Sequence, residues 1–124
     1  MKQHIAHISL LVADYDEAIK FYTQKLNFTL IEDTPISEDK RWVLIAPSGS
    51  RECGLLLAKA SSDEQKKYIG NQTGGRVFLF LYSDILNAII RTLFRKRYKL
   101  LEHQNKKAMV LWPFLLISTE ISGI

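Results

Sequence analysis

The chain opens on strict alternation. From His4 to Ala13, Ile5, His7, Ser9 and Leu11 fall on one side of an extended strand, and Ala6, Ile8, Leu10 and Val12 fall on the other. One side is wholly apolar and the other carries polar atoms. The period changes at Asp14, which offers an N-cap carboxylate with Glu17 three residues on. Ala18, Phe21, Tyr22, Lys25 and Leu26 follow at helical spacing. The spacing predicts an amphipathic helix over 15–26, closed by Asn27 in a left-handed C-cap. Three runs of strand length come next, Phe28 to Glu32, Arg41 to Ala46 and Gly54 to Ala60. Asp33-Thr34-Pro35 and Pro47-Ser48-Gly49-Ser50 punctuate them. The predicted order is β-α-β-β-β.

The second half starts the same order again. Ser61-Ser62-Asp63-Glu64 reads as the start of a short helix ending at Gly70, and Gly70 to Gly75 as a loop or linker. Arg76 to Tyr82 forms a fifth strand. Ser83-Asp84 then opens a helical pattern with Ile85, Ala88, Ile89, Thr92 and Leu93 on one face, and strand-like runs follow at Lys99–Leu101 and Ala108–Ile117. With a period near 70, Asp14, Ala18, Ile19, Leu30 and Glu32 correspond to Asp84, Ala88, Ile89, Leu100 and Glu102. The organisation expected is one domain over 1–124, with a first module at 4–60, a linker at 61–75 and a second, divergent module at 76–124.

Composition narrows the classes. At 124 residues and 14.3 kDa, a second catalytic domain is not expected, and 47% hydrophobic with 24% charged residues excludes wholesale disorder. The longest apolar runs, such as Val77 to Leu81 and Leu111 to Leu116, fall far short of a membrane-spanning helix, so no membrane partner is expected. Polar Gln3 and His4 precede any apolar stretch, a secretory signal peptide does not fit, and the cytosol is the expected compartment. Cys53, with no second thiol, reads as a buried small apolar side chain.

A strand with a polar-face His, an Asp14-Tyr-Asp-Glu-Ala-Ile-Lys-Phe-Tyr22 helix ending in Leu26-Asn27-Phe28, three strands and a Gly74-Gly-Arg-Val-Phe-Leu-Phe80 restart together resemble the vicinal-oxygen-chelate superfamily. This is the group of glyoxalase I, bleomycin-resistance proteins and extradiol dioxygenases. The resemblance covers residues 4–84. It implies an α+β fold of paired βαβββ modules curled around a small-molecule cavity, commonly in a homodimer, with the second module here altered or incomplete. Metal-dependent members hold a divalent ion with His, Gln or Glu on inward strand faces and use it to polarise substrate oxygens. Carried onto this sequence, only His7 matches. Leu55, Leu56 and Leu57 stand where the fourth strand would supply an acid, and Arg76 and Phe78 where the fifth would supply a His. A complete family metal site is therefore not expected, and no metal or other cofactor is assigned to this chain.

His7, Ser9, Trp42 and Arg76 are the candidate small-molecule-binding residues, with His7 also the lone candidate metal ligand. Each has a plainer reading beside the functional one. His7 is a polar residue in a cavity wall, Trp42 packs in the core or forms an aromatic wall for a planar ligand, and Arg76 pairs with an anionic group or is a solvated charge. The leading functional expectation is a small-molecule binder. The alternatives are a metal-dependent lyase, isomerase or dioxygenase of the same superfamily, and a nucleic-acid binder using the basic segment Arg91–Lys99. No helix-turn-helix, finger or glycine-rich signature accompanies that segment, so nucleic acid is not an expected partner.

The charge balance breaks at residue 84. Residues 1–84 hold ten Lys or Arg against eleven Asp or Glu, whereas residues 85–124 hold seven against two. The family ending, a Tyr-Gly-x-Val-Ala-Val-Phe-like strand, an Asp-x-Tyr-Gly-Asn turn and a Trp-Asp strand, is missing from the tail. Adding one nucleotide after the Asp84 codon, with suitable synonymous codons, turns the tail into that ending. Two positions are independent of codon choice: Met109-Val110 must yield Gly in the shifted frame and Trp112-Pro113 must yield Ala, and both fall where the family pattern wants them. A frameshift near codon 85 is the expectation. The plainer reading is an authentic divergent module whose basic residues form a solvated helix face.

Overall fold

The computed structural model describes residues 1–50, 52–76, 78–82, 98–103, 106–111 and 115–120. The chain divides into two compact units, Met1–Ile69 and Gly70–Ile124.

In the first unit the strands β1 (His7–Val12), β2 (Phe28–Pro35), β3 (Arg41–Pro47) and β4 (Gly54–Lys59) form one sheet in the order β1-β4-β3-β2. β1 and β4 are parallel, and the other pairs are antiparallel. Helix α1 (Tyr15–Lys20) crosses one face and touches β3 and β4. The apolar side of β1 lies under it: Leu10 and Val12 are buried, joined by Val43, Ile45, Leu55 and Leu57 of the neighbouring strands. Val43, Ile45 and Leu57 are the largest wholly enclosed side chains among the described residues. Opposite the helix, the face carries His7 and Ser9 of β1, Leu56 and Ala58 of β4, and Trp42, Leu44 and Ala46 of β3. His7 and Ser9 are exposed there and Trp42 is half-buried.

The predicted helix 15–26 is two conformations in series. Asp14 caps α1 by accepting from the Glu17 backbone N–H at 2.8 Å, but from Phe21 to Lys25 the coil widens into a π-helix. The widened turn brings Phe21, Tyr22 and Phe28 together, with ring centroids at 5.2 Å and 5.4 Å in successive pairs. Burial pushes the Tyr22 hydroxyl up to about 12. Asn27 has φ 60°, the left-handed cap conformation its short polar side chain tolerates. Periodicity alone does not distinguish 3.6 from 4.4 residues per turn over five residues, which is why the sequence reading gave one helix.

β2 runs three residues beyond its predicted end and takes in Asp33-Thr34-Pro35. It is an edge strand, where the missing N–H of Pro35 costs no ladder bond. Its register against β3 slips between Leu30 and Glu32, bulging Ile31 out of the ladder. Arg41, at the start of β3, ties this edge to the helix. Its Nε and one terminal nitrogen donate to Asp33 at 3.0 Å and 2.6 Å, and the other terminal nitrogen donates to Asp16 at 3.0 Å. The guanidinium lies 5.2 Å from the Tyr15 ring centroid, and the Arg41 backbone N–H donates to the Tyr15 hydroxyl.

These hydrogen bonds hold the Asp33 carboxyl below the usual carboxylate range, against a smaller opposing effect of burial, and they hold Arg41 more firmly protonated. A depressed native pKa means the Asp33 contribution is complete above about pH 4, the unfolded value, and is lost as pH falls through the native one. Both partners of the bidentate pair are roughly one-quarter exposed, so the contribution is about 0.5–1 kcal/mol. Asp33→Asn is expected to lower stability by that amount at pH 7 and to flatten the acid limb of stability against pH, as read by urea unfolding between pH 3 and 7.

After β4 the chain makes a single helical turn, α2 (Asp63–Lys66), capped by the Ser62 hydroxyl. The second unit repeats the topology of the first. Strands β5 (Leu79–Tyr82), β6 (Tyr98–His103), β7 (Lys106–Leu111) and β8 (Leu115–Glu120) are ordered β5-β8-β7-β6, with β5 parallel to β8. The fold is thus α+β with two four-stranded sheets of matching order. Among the described residues the opening strand of the second sheet spans four residues, Leu79–Tyr82. The run Ala108–Ile117, read as one strand, is two antiparallel strands paired from Lys106↔Glu120 to Leu111↔Leu115. Trp112 and Pro113 lie outside the described residues, as do the helical pattern from Ser83 and residues 91–97 of the basic segment.

Candidate functional site

Two of the four residues singled out in the sequence meet on the open face of the first sheet. The His7 and Trp42 rings stand 6.0 Å apart between centroids at an interplanar angle of 77°, an edge-to-face pair. The registers put them on different rows: His7 pairs with Gly54, whereas Trp42 lies beyond the Val43↔Leu57 pair. The rings therefore converge diagonally over the sheet. Ser9 shares the face, paired with Leu56. Arg76 belongs to the other unit, where it is exposed and its backbone N–H and carbonyl are both engaged by the Thr73 hydroxyl.

Beside His7 lies a hollow of about 130 Å³. Ala6, Ile31, Leu44 and Ala46 give it an apolar wall, and Gly54 forms part of the lining where β4 begins. His7, Ser50, Glu52 and Cys53 contribute the polar lining. Cys53, expected to be a buried small side chain, is instead half-buried beside this hollow. Sequence reasoning missed the hollow because it arises from a bulge in β2, a turn after β3 and the first residues of β4. Gly54 was the available signal. A Cβ there would sit 2.9 Å from the Leu44 Cδ1 and 3.0 Å from the Ile45 carbonyl oxygen, so the strands approach in a way only glycine permits.

His7 has no metal-ligating neighbour on the facing strand. Its partners on β4 are Gly54 and, one row on, Leu56, neither of which is a ligand. Among the described residues no group of three His, Cys, Asp or Glu side chains converges to hold an ion. No helix among the described residues is long and apolar enough to cross a membrane.

Comparison with known proteins decides the family. The profile of the Glyoxalase/Bleomycin resistance protein/Dioxygenase superfamily matches residues 4–105. The chain belongs to that superfamily. An uncharacterised protein of Shewanella frigidimarina is 64% identical over 85 residues, which is 68% of this chain and 63% of that protein. The uncharacterised protein YurT of Bacillus subtilis is 35% identical over 60 residues, 48% of this chain and 47% of YurT. The chain thus spans less than two thirds of the length of either relative. Among solved structures, UcmS2 aligns over 96% of this chain and 98% of its own, with a TM-score of 0.69 and 20% identity. TnmS3, an antibiotic binding protein from Streptomyces sp. CB03234, covers 96% of this chain and 95% of its own at a TM-score of 0.64 and 21% identity. At such identities the likeness establishes the superfamily fold.

Proposed function

We propose that this superfamily member binds a small, flat organic molecule on the open face of its first sheet, as a binder that needs no metal. The observation carrying the reading is the His7–Trp42 ring pair, which presents aromatic surface on the face opposite α1. An indole offers a large apolar area at low entropic cost, and a flat ligand gains both area burial and a directional ring contact from it. Ser9 lies on the same face and supplies a hydroxyl to orient the guest. Arg76 is assigned a part only where the guest carries an anionic group. TnmS3, an antibiotic binding protein of the same fold, supports the ligand class. The working assembly is taken to be a cytosolic homodimer.

Calorimetric titration with doxorubicin and with bleomycin A2 tests the reading. Micromolar binding of at least one is expected, weakened about tenfold by Trp42→Ala, which corresponds to roughly 1.4 kcal/mol for a ring contact. Affinity unchanged in Trp42→Ala, or absence of binding to both, overturns it. Metal content after purification is expected to be substoichiometric, and one bound divalent ion per chain would restore the lyase, isomerase or dioxygenase reading.

The same proposal holds that residues 85–124 are translated out of frame after Asp84, and that the tail's surplus of basic residues is a product of the reading frame. Two observations support it. The family ending is absent from the tail and appears in the shifted frame when suitable synonymous codons are chosen, and the two codon-independent positions, Gly from Met109-Val110 and Ala from Trp112-Pro113, fall where that ending has them.

A further inference from the structure

We infer that the hollow beside His7 is a subsite for a single phenolic ring, adjoining the aromatic surface of Trp42. The inference rests on the binding face proposed above and names the chemical class that face takes. Size comes first. A dry apolar cavity of about 150 Å³ is enough for one benzene molecule, and the hollow measures about 130 Å³. A single six-membered ring entering from the open side fills it, with its substituents left outside.

The lining sets polarity. Ala6, Ile31, Leu44 and Ala46 offer no hydrogen-bonding side-chain atom, so the body of the guest is apolar. Glu52 only accepts, and the Ser50 hydroxyl accepts as well as donates. A ring bearing a hydroxyl donor matches this set. A ring bearing a carboxylate meets Glu52 with like charge and is rejected.

Gly54 indicates how the space is kept. The Leu44 Cδ1 lies 2.9 Å from where a Cβ of residue 54 would stand, so the leucine settles over the glycine. Any larger residue at 54 forces Leu44 or the β3 backbone to shift beside the hollow. Gly54 is accordingly a specificity-determining residue, acting through Leu44 on the shape of the subsite.

Cys53 is the sole cysteine in the chain and lines the hollow, which makes it a reporter. The rate at which Ellman's reagent labels Cys53 is measured with 4-methylphenol, with benzoate and without addition. Saturable slowing of at least about threefold by 4-methylphenol and none by benzoate is expected. Ala6→Phe, at an exposed position of the lining, is expected to occupy the hollow and abolish the response to 4-methylphenol. This variant leaves the Gly54 contact intact and avoids the folding risk of Gly54→Ala. Equal slowing by benzoate and 4-methylphenol, no slowing by either, or undiminished protection in Ala6→Phe overturns the subsite. Doxorubicin binding that depends on Trp42, without protection of Cys53 by 4-methylphenol, overturns the subsite and leaves the face as the binding surface. Protection of Cys53 without any Trp42-dependent binding supports the subsite and overturns the larger reading.

Discussion

Leu57→Ala is expected to destabilise the first unit by about 3 kcal/mol, while Leu56→Ala, one residue earlier on the same strand, costs about 1 kcal/mol or less. The difference follows from which way each side chain points. Leu57 is 1% exposed and lies between Leu10 of β1 and Val43 of β3 on the helix-covered face. Truncation removes its buried methyl groups and leaves a void that sheet and helix fill only in part, so lost transfer energy and cavity cost add. Leu56 is half-buried on the opposite face, paired with Ser9 and Leu44, and truncation there gives up less burial. For a domain of this size, about 3 kcal/mol lowers the melting temperature by roughly 10–20 °C. Urea unfolding of both variants, compared at constant m, measures the two costs. A larger loss from Leu56→Ala would invert the assignment of the two faces and remove the open face on which the binding reading stands.

That division of faces was legible in the sequence because it is local. Alternation in β1 separates Ile8, Leu10 and Val12 from His7 and Ser9 without knowledge of any partner strand, and a one-residue shift would turn every side chain to the wrong side. The helix start at Asp14 and the cap at Asn27 were legible for the same reason, since each is decided within four residues. What lay beyond reach spans distance. Arg41 joins Asp33 eight residues before it to Asp16 a further seventeen back, and nothing in the spacing of those three charges marks them as one cluster. That His7 and Trp42 share a face follows from alternation and strand order, but their rings meet only because the β1–β4–β3 registers bring two rows together. The hollow needed three separate segments, of which the bulge at Ile31 carries no residue that announces it. In the tail, two strands separated by residues 112–114 were read as one run because the apolar residues at Met109–Leu111 and Leu115–Ile117 are nearly continuous.

Adding one nucleotide after the Asp84 codon is expected to extend the identity with the Shewanella frigidimarina protein, 64% over 85 residues, through the rest of that protein at a similar level. The reasoning is codon arithmetic. In the shifted frame each new codon takes the third base of one old codon and the first two of the next, so Met109-Val110 fixes GGT and Trp112-Pro113 fixes GCC, a Gly and an Ala that the gene's codon usage cannot alter. The profile of the superfamily, which matches 4–105 in the present chain, is expected to run on to the end of the restored one. A physical gain should follow. The present tail keeps enough apolar alternation to supply β6, β7 and β8, which with β5 repeat the strand order of the first sheet, so hydrophobic patterning alone supports the topology. Close fit of side chains adds the last few kcal/mol beyond patterning. The restored protein is accordingly expected to melt about 10 °C higher, for a gain of about 2–3 kcal/mol, and to unfold in a single transition by calorimetry. Stop codons in the shifted frame, or a shifted tail no more similar to the relative than the present one, would establish residues 85–124 as an authentic divergent module.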